Sequence, residues 1–137
     1  KVDYSVIMKK NRLTKQKEII SNICLNAPTA ISIEEVYKLA KKEIESLNLA
    51  TVYRNIKRLI KDKKIIKIKH ATKGTLYEVN GKPTHHYFFC SECNETFERP
   101  GCGLSICIED MKHKSSDGFV VISHELYLHG ICASCAA

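Results

Sequence analysis

Two cysteine doublets constrain this chain more than any other feature: Cys90-Ser91-Glu92-Cys93 and Cys132-Ala133-Ser134-Cys135, with residues 94–131 between them. A C-x-x-C turn presents two sulfurs on one side of a tight knuckle, and two knuckles complete a tetrahedron around Zn²⁺. Four thiolates suit a soft cation and leave no open position for chemistry, so the reading is a structural zinc site. Disulfides or a redox C-x-x-C compete with it. Disulfides fit a secreted chain, and nothing here reads as a signal peptide. Zinc would pin the last residues to a point two-thirds along the chain, making everything after Pro83 one metal-tied unit. A unit of about 55 residues buries too little surface to be stable alone, so a metal staple or a second subunit is expected.

Seven cysteines is an odd number, and Cys24, Cys102 and Cys107 fall outside the doublets. That usage suits a reducing cytoplasm. No apolar run approaches the length of a membrane helix, so no membrane partner is expected. Charge divides the chain at the same place as the metal. Residues 1–82 hold 19 Lys and Arg against 8 Asp and Glu, whereas residues 83–137 hold 3 against 7. A basic module joined to an acidic one points to an anionic polymer as partner of the first half.

Apolar residues recur at helical spacing in that basic half. Val2, Val6 and Ile7 suggest a short amphipathic turn or two. Thr14 reads as an N-cap for a helix carrying Ile19, Ile20 and Ile23, which ends before Asn26-Ala27-Pro28. Ser32-Ile33-Glu34-Glu35 is a capping box, followed by Val36, Leu39, Ala40 and Ile44 on one face. Asn48 caps a third helix with Ala50, Tyr53, Ile56, Leu59 and Ile60 inward. Thr51, Arg54, Asn55, Lys57, Arg58 and Lys61 then face outward. This is a helix-turn-helix pattern. Residues 65–70 and 75–79 form a β-hairpin around Gly74, which makes the unit a winged helix. Asn80-Gly81-Lys82-Pro83 is turn chemistry and the natural hinge. Beyond it, strands at 87–90 and 96–98 flank the first knuckle, a helix occupies 104–111, and extended runs at 118–122 and 125–129 lead to the second. The fold class is therefore α+β: a winged-helix domain over 1–82, then a small zinc-stapled α/β dimerisation domain over 83–137.

Recognition helices read base edges with their first turns. Thr51 and Tyr53 can meet thymine methyls or phosphates, Arg54 guanine or phosphate, and Asn55 lies in the same turn. Arg12, ahead of the second helix, can reach the backbone or minor groove. These motifs together resemble the ferric uptake regulator family: Arg12-Leu13-Thr14-Lys15-Gln16, Leu49-Ala50-Thr51-Val52-Tyr53-Arg54-Asn55, Tyr77-Glu78, His85-His86, and Gly130-Ile131-Cys132-x-x-Cys135. The resemblance runs along nearly the whole chain. It implies a dimeric, metal-responsive repressor whose winged helix binds operator DNA and whose C-terminal domain dimerises around structural zinc. It also implies DNA contacts at Arg12, Tyr53 and Arg54.

A repressor needs a switch, and His70, Glu78, His85, His86 and Glu98 cluster around the hinge in sequence. Imidazole with carboxylate suits Zn²⁺, Fe²⁺ or Mn²⁺, and ligands split across a hinge could lock two domains in one orientation. The expected regulatory set is His70, Glu78, His85 and Glu98, of which the resemblance implies Glu78, His85 and Glu98; the ion would be Zn, Fe, Mn or Ni. The resemblance further implies a second site at His86 and His124, with Cys107 near a position where the family carries a carboxylate. Two family ligands are absent: Ala30 and Tyr87 stand where histidines usually sit. Two other readings stay open. One is a DNA-binding thiol or peroxide sensor built on Cys102 or Cys107. The other is a small zinc enzyme using His85, His86 and Glu98, for which a closed zinc and a short second half leave little room.

Overall fold

The computed structural model describes residues 4–70, 72–101, 118–119 and 125–137. The chain divides into two compact units, Lys1–Gly81 and Lys82–Ala137. Among the described residues no helix is long and apolar enough to cross a membrane.

The first unit begins with α1, Tyr4–Asn26. The sequence pattern places a cap at Thr14, but the helix runs straight through that residue, which is exposed. The reason is compositional: Tyr4–Asn26 contains no glycine or proline, so nothing interrupts a helix already begun. It ends where expected, ahead of Pro28, with the Asn26 side-chain amide donating to the Asn22 carbonyl at 2.9 Å. Helix α2, Ile33–Glu43, carries the expected capping box: the Glu35 N–H donates to Ser32 Oγ at 3.2 Å and the Ser32 N–H to Glu35 Oε2 at 2.8 Å. Burial works against the charge on Glu35, but the bonds from Ser32 outweigh it and hold the carboxyl below its usual range. Val36 and Ala40 are fully buried, joined by Ile33 rather than Leu39, which is exposed. The stripe 33-36-40 lies about 100° away from Leu39, the angular step of one helical residue.

Helix α3, Leu49–Lys61, is capped by Asn48, whose Oδ1 accepts from the Thr51 N–H at 2.9 Å. Its buried residues are Thr51, Val52, Ile56 and Leu59. The expected faces are therefore corrected at three places, since Ala50 and Tyr53 point outward and Thr51 points inward. Val52 anchors the inward face one residue earlier than Tyr53. The helix closes with Lys63 at φ +55°, the Lys63 N–H donating to the Ile60 carbonyl and the Lys64 N–H to the Leu59 carbonyl at 2.9 Å each. That pair of bonds is a Schellman closure made with lysine in place of glycine.

Strands β1, Ile65–His70, and β2, Gly74–Val79, form the wing, antiparallel from Ile65 opposite Val79 to His70 opposite Gly74. The chain ahead of α2 ties the wing down: Ile31 and Tyr77 exchange two backbone bonds of 2.8 Å. Ile19, Ile20, Cys24, Ile33, Val36, Ala40, Leu47, Val52, Ile56, Leu59, Ile65 and Tyr77 make the core.

The second unit contains β3, His85–Cys90; β4, Thr96–Pro100; and β5, Tyr127–Gly130. Strand β3 is central, antiparallel to β4 and parallel to β5. Tyr87 and Phe89 stack along one face of β3, and Tyr127 and His129 of β5 lie against Phe89 at ring separations of 5.8 and 5.3 Å. A last turn of helix, α4, Ala133–Ala136, starts from Cys132. The helix expected at 104–111 lies outside the described residues, as does most of the extended run expected at 118–122.

Candidate metal centres and nucleic-acid surface

The first knuckle forms where β3 ends. Cys90 is its last residue, and the chain turns back through Asn94, which takes the left-handed conformation at φ +58° and donates its N–H to the Cys90 carbonyl at 3.0 Å. The second knuckle is set by α4, with Cys135 N–H donating to the Cys132 carbonyl at 3.0 Å. The four sulfurs of Cys90, Cys93, Cys132 and Cys135 all lie within 4.8 Å of one another, and Cys93 Sγ is 3.9 Å from Cys132 Sγ. A zinc tetrahedron with Zn–S bonds of about 2.3 Å has edges of about 3.8 Å, so the cluster is already close to the dimensions of that ion.

The electrostatics agree with the geometry. Backbone N–H groups of Cys93 and Cys132 donate to Cys90 Sγ, the latter at 3.3 Å, and pull its thiol down to about 6. The sulfurs of Cys132 and Cys93, helped by burial, push Cys135 up to about 12. Four thiolates cannot crowd together without a cation, and a divalent ion removes that penalty. The residues fit structural zinc. None of the five described cysteines forms a disulfide. Cys24 is buried in the winged-helix core and burial pushes its thiol up to about 11, making it a packing residue.

The second unit also brings together His85 and Glu98, whose ligand atoms lie within 4.8 Å of each other. They sit diagonally across the β3–β4 ladder, where Glu98 faces Tyr87 in register. His85 Nδ1 is 2.7 Å from the Pro83 carbonyl. A carbonyl only accepts, so Nδ1 carries the proton and Nε2 presents the lone pair, as metal-binding histidines do. Glu98 Oε2 accepts from Lys82 Nζ at 2.8 Å. His86 is buried on the opposite face of β3 from His85. Its expected partners Cys107 and His124 lie outside the described residues.

In the first unit Glu78 is buried on β2. His70 closes β1, and its Nδ1 accepts from the Thr72 and Lys73 N–H groups at 3.1 and 3.0 Å. The Nδ1 lone pair therefore braces the wing turn, and Nε2 carries the proton in the neutral ring. This arrangement offers no imidazole lone pair to a metal.

The DNA-reading candidates separate into outward and inward groups. Ala50, Tyr53, Arg54, Lys57 and Lys61 lie exposed along one side of α3. Thr51 is buried; its hydroxyl bonds Asn48 Oδ1 at 2.9 Å and accepts from Arg54 Nη2 at 3.0 Å. Asn55 is half-buried and donates to the Thr51 carbonyl at 2.8 Å. Arg12 is exposed on α1 and donates to Ser46 Oγ at 2.9 Å. Two features escaped the sequence reading. Lys67 and Lys69 are exposed on β1 with one residue between them, a signal present in their alternation. Lys82 reads in sequence as hinge chemistry, and only the fold shows its ammonium on Glu98.

A family model matches this chain, and known proteins that resemble it include the following. The Ferric uptake regulator family model covers residues 9–129. A ferric uptake regulation protein of Bacillus subtilis is 32% identical over 132 residues, spanning 90% of this chain and 85% of that protein. Its counterpart in Campylobacter jejuni is 28% identical over 128 residues, spanning 90% and 79%. The solved structure of the Helicobacter pylori ferric uptake regulator Fur, described as having three functional metal binding sites, matches the fold. Its TM-score is 0.78 over 97% of this chain and 90% of that one, at 22% identity.

Proposed function

Because the chain belongs to the ferric uptake regulator family, whose members are metal-responsive transcriptional regulators, we propose that it is a cytoplasmic repressor that holds operator DNA as a homodimer when a divalent cation fills a regulatory site beside the hinge. The observation that carries this reading is the His85–Glu98 pair. An imidazole fixed with Nε2 as its lone-pair nitrogen stands beside a carboxylate, in the same unit as a four-sulfur cluster already closed to other roles. His85 and Glu98 would hold the regulatory ion, which supplies the charge that fixes their orientation. His70, with its Nδ1 lone pair engaged by the wing turn, is set aside from that group.

On this reading the DNA contacts are made by the outward side of α3. Arg54 and Tyr53 reach base edges or phosphates, while Lys57, Lys61 and Arg12 neutralise phosphates. Thr51 and Asn48 hold Arg54 from behind. Two-fold pairing of the acidic second unit would present two such heads to an inverted repeat. Because the family's members are transcriptional regulators, we read the protein as a regulator and not an enzyme.

The test starts from the zinc-loaded dimer stripped of weakly held metal. Fe²⁺, Mn²⁺, Ni²⁺ and Zn²⁺ are titrated back while binding to a selected inverted-repeat duplex is followed by fluorescence anisotropy. One of these ions should tighten binding at least tenfold. Affinity indifferent to every metal but abolished by peroxide would replace this reading with a thiol sensor.

A further inference from the structure

Lys82 Nζ lies 2.8 Å from Glu98 Oε2, and the two side chains are 19% and 30% exposed. Glu98 is the carboxylate that stands with His85 as a candidate ligand pair. All three residues belong to the second unit. Accepting the regulatory site proposed above, we infer that Lys82 is a built-in competitor for the regulatory cation, an internal ammonium that occupies Glu98 until a metal displaces it.

The argument is one of valence and space. The Lys82 ammonium holds Glu98 Oε2 at 2.8 Å, and a divalent ion taken by the same carboxylate at about 2.1 Å would stand within a few ångströms of that ammonium, so the two cations repel and compete for one negative charge. Metal entry therefore works against the Lys82 contact and is favoured by its release. The affinity that is measured is the intrinsic affinity reduced by the fraction of molecules in which Glu98 is open. Partial exposure keeps the pair modest in strength, so it sets a threshold without closing the site. Lys82 is the residue just before Pro83, whose carbonyl fixes His85. One short segment thus orients the imidazole and guards the carboxylate.

The experiment is Mn²⁺ binding to the zinc-loaded protein, read by loss of the free-ion electron paramagnetic resonance signal. Mn²⁺ is a hard ion low in the affinity series, so it does not compete for the four-sulfur cluster. Lys82→Met should tighten Mn²⁺ binding by about two- to fivefold, the upper part of the range expected for removing a partly exposed ion pair. Lys82→Arg keeps the competitor and should bind no tighter than wild type. Arg99→Gln removes the same charge from the next position of β4, on its other face, and should change affinity less than twofold. Weaker or unchanged binding by Lys82→Met overturns the inference, and so does an equal gain in Arg99→Gln. Glu98→Gln separates this inference from the reading beneath it: if that variant binds Mn²⁺ as wild type does, the regulatory site itself is elsewhere.

Discussion

Replacing Thr51 tests whether the recognition helix is read correctly, because two roles for that residue predict opposite results. The sequence suggests a side chain facing thymine methyls; the structure buries it, with its hydroxyl joining Asn48 Oδ1 at 2.9 Å and Arg54 Nη2 at 3.0 Å. Thr51→Val keeps the shape and deletes both bonds. Each net bond contributes about 0.5–1.5 kcal/mol, and the one to exposed Arg54 belongs at the low end, so the loss in stability is about 1–2 kcal/mol. Operator affinity should fall about three- to fivefold as Arg54 loses its brace. Thr51→Ser keeps the hydroxyl and removes one buried methyl, costing about 1 kcal/mol of stability while leaving operator affinity within twofold. Urea unfolding and fluorescence anisotropy, with Arg54→Ala included as a double-mutant cycle, measure both quantities. In the background of Arg54→Ala, Thr51→Val should cost little further affinity. Retention of affinity by the valine variant with loss in the serine variant would refute the reasoning, since that is the signature of a methyl in contact with DNA.

Other expected outcomes follow from the same structure. Lys63→Gly, at the left-handed closure of α3, should raise stability by about 0.5–1 kcal/mol in urea unfolding. Ser32→Ala should cost about 1 kcal/mol. Because the Glu35 carboxyl is held below its usual range, its stabilisation is present above the ordinary carboxylate range and is lost as pH falls through the lowered value. The gap between wild type and Ser32→Ala, followed by denaturation from pH 7 downward, should narrow accordingly. Cys24, buried and pushed up to about 11, should resist alkylation in the native protein at pH 7 and react after unfolding, as read by peptide mass mapping.

How much of this was legible in the sequence depends on whether local chemistry or tertiary packing decides the feature. The Ser32 capping box, the Asn48 cap and the stop before Pro28 are determined by residues within a turn of each other, and all three stand as read. The cysteine doublets are legible because C-x-x-C dictates its own turn. The start of α1 is not, because a plausible cap at Thr14 competes with an uninterrupted helical run before it. The rotation of α3 was ambiguous because Ala50, Thr51, Val52 and Tyr53 all tolerate burial, and packing chose Thr51 and Val52. His70 illustrates the limit for ligands: its residue type allows metal binding, but the N–H groups of Thr72 and Lys73 claim its Nδ1. The Lys82–Glu98 pair spans two neighbouring segments that only the β3–β4 ladder brings together.

The most direct test of the account compares wild type with Glu98→Gln, both carrying one chelator-resistant zinc per chain, in operator binding across a titration of the regulatory ion. Wild-type affinity should climb at least tenfold with metal, while the variant keeps its zinc and stays at the metal-free level. A variant that responds as wild type does would contradict the claim that an ion at His85 and Glu98 governs the grip on DNA.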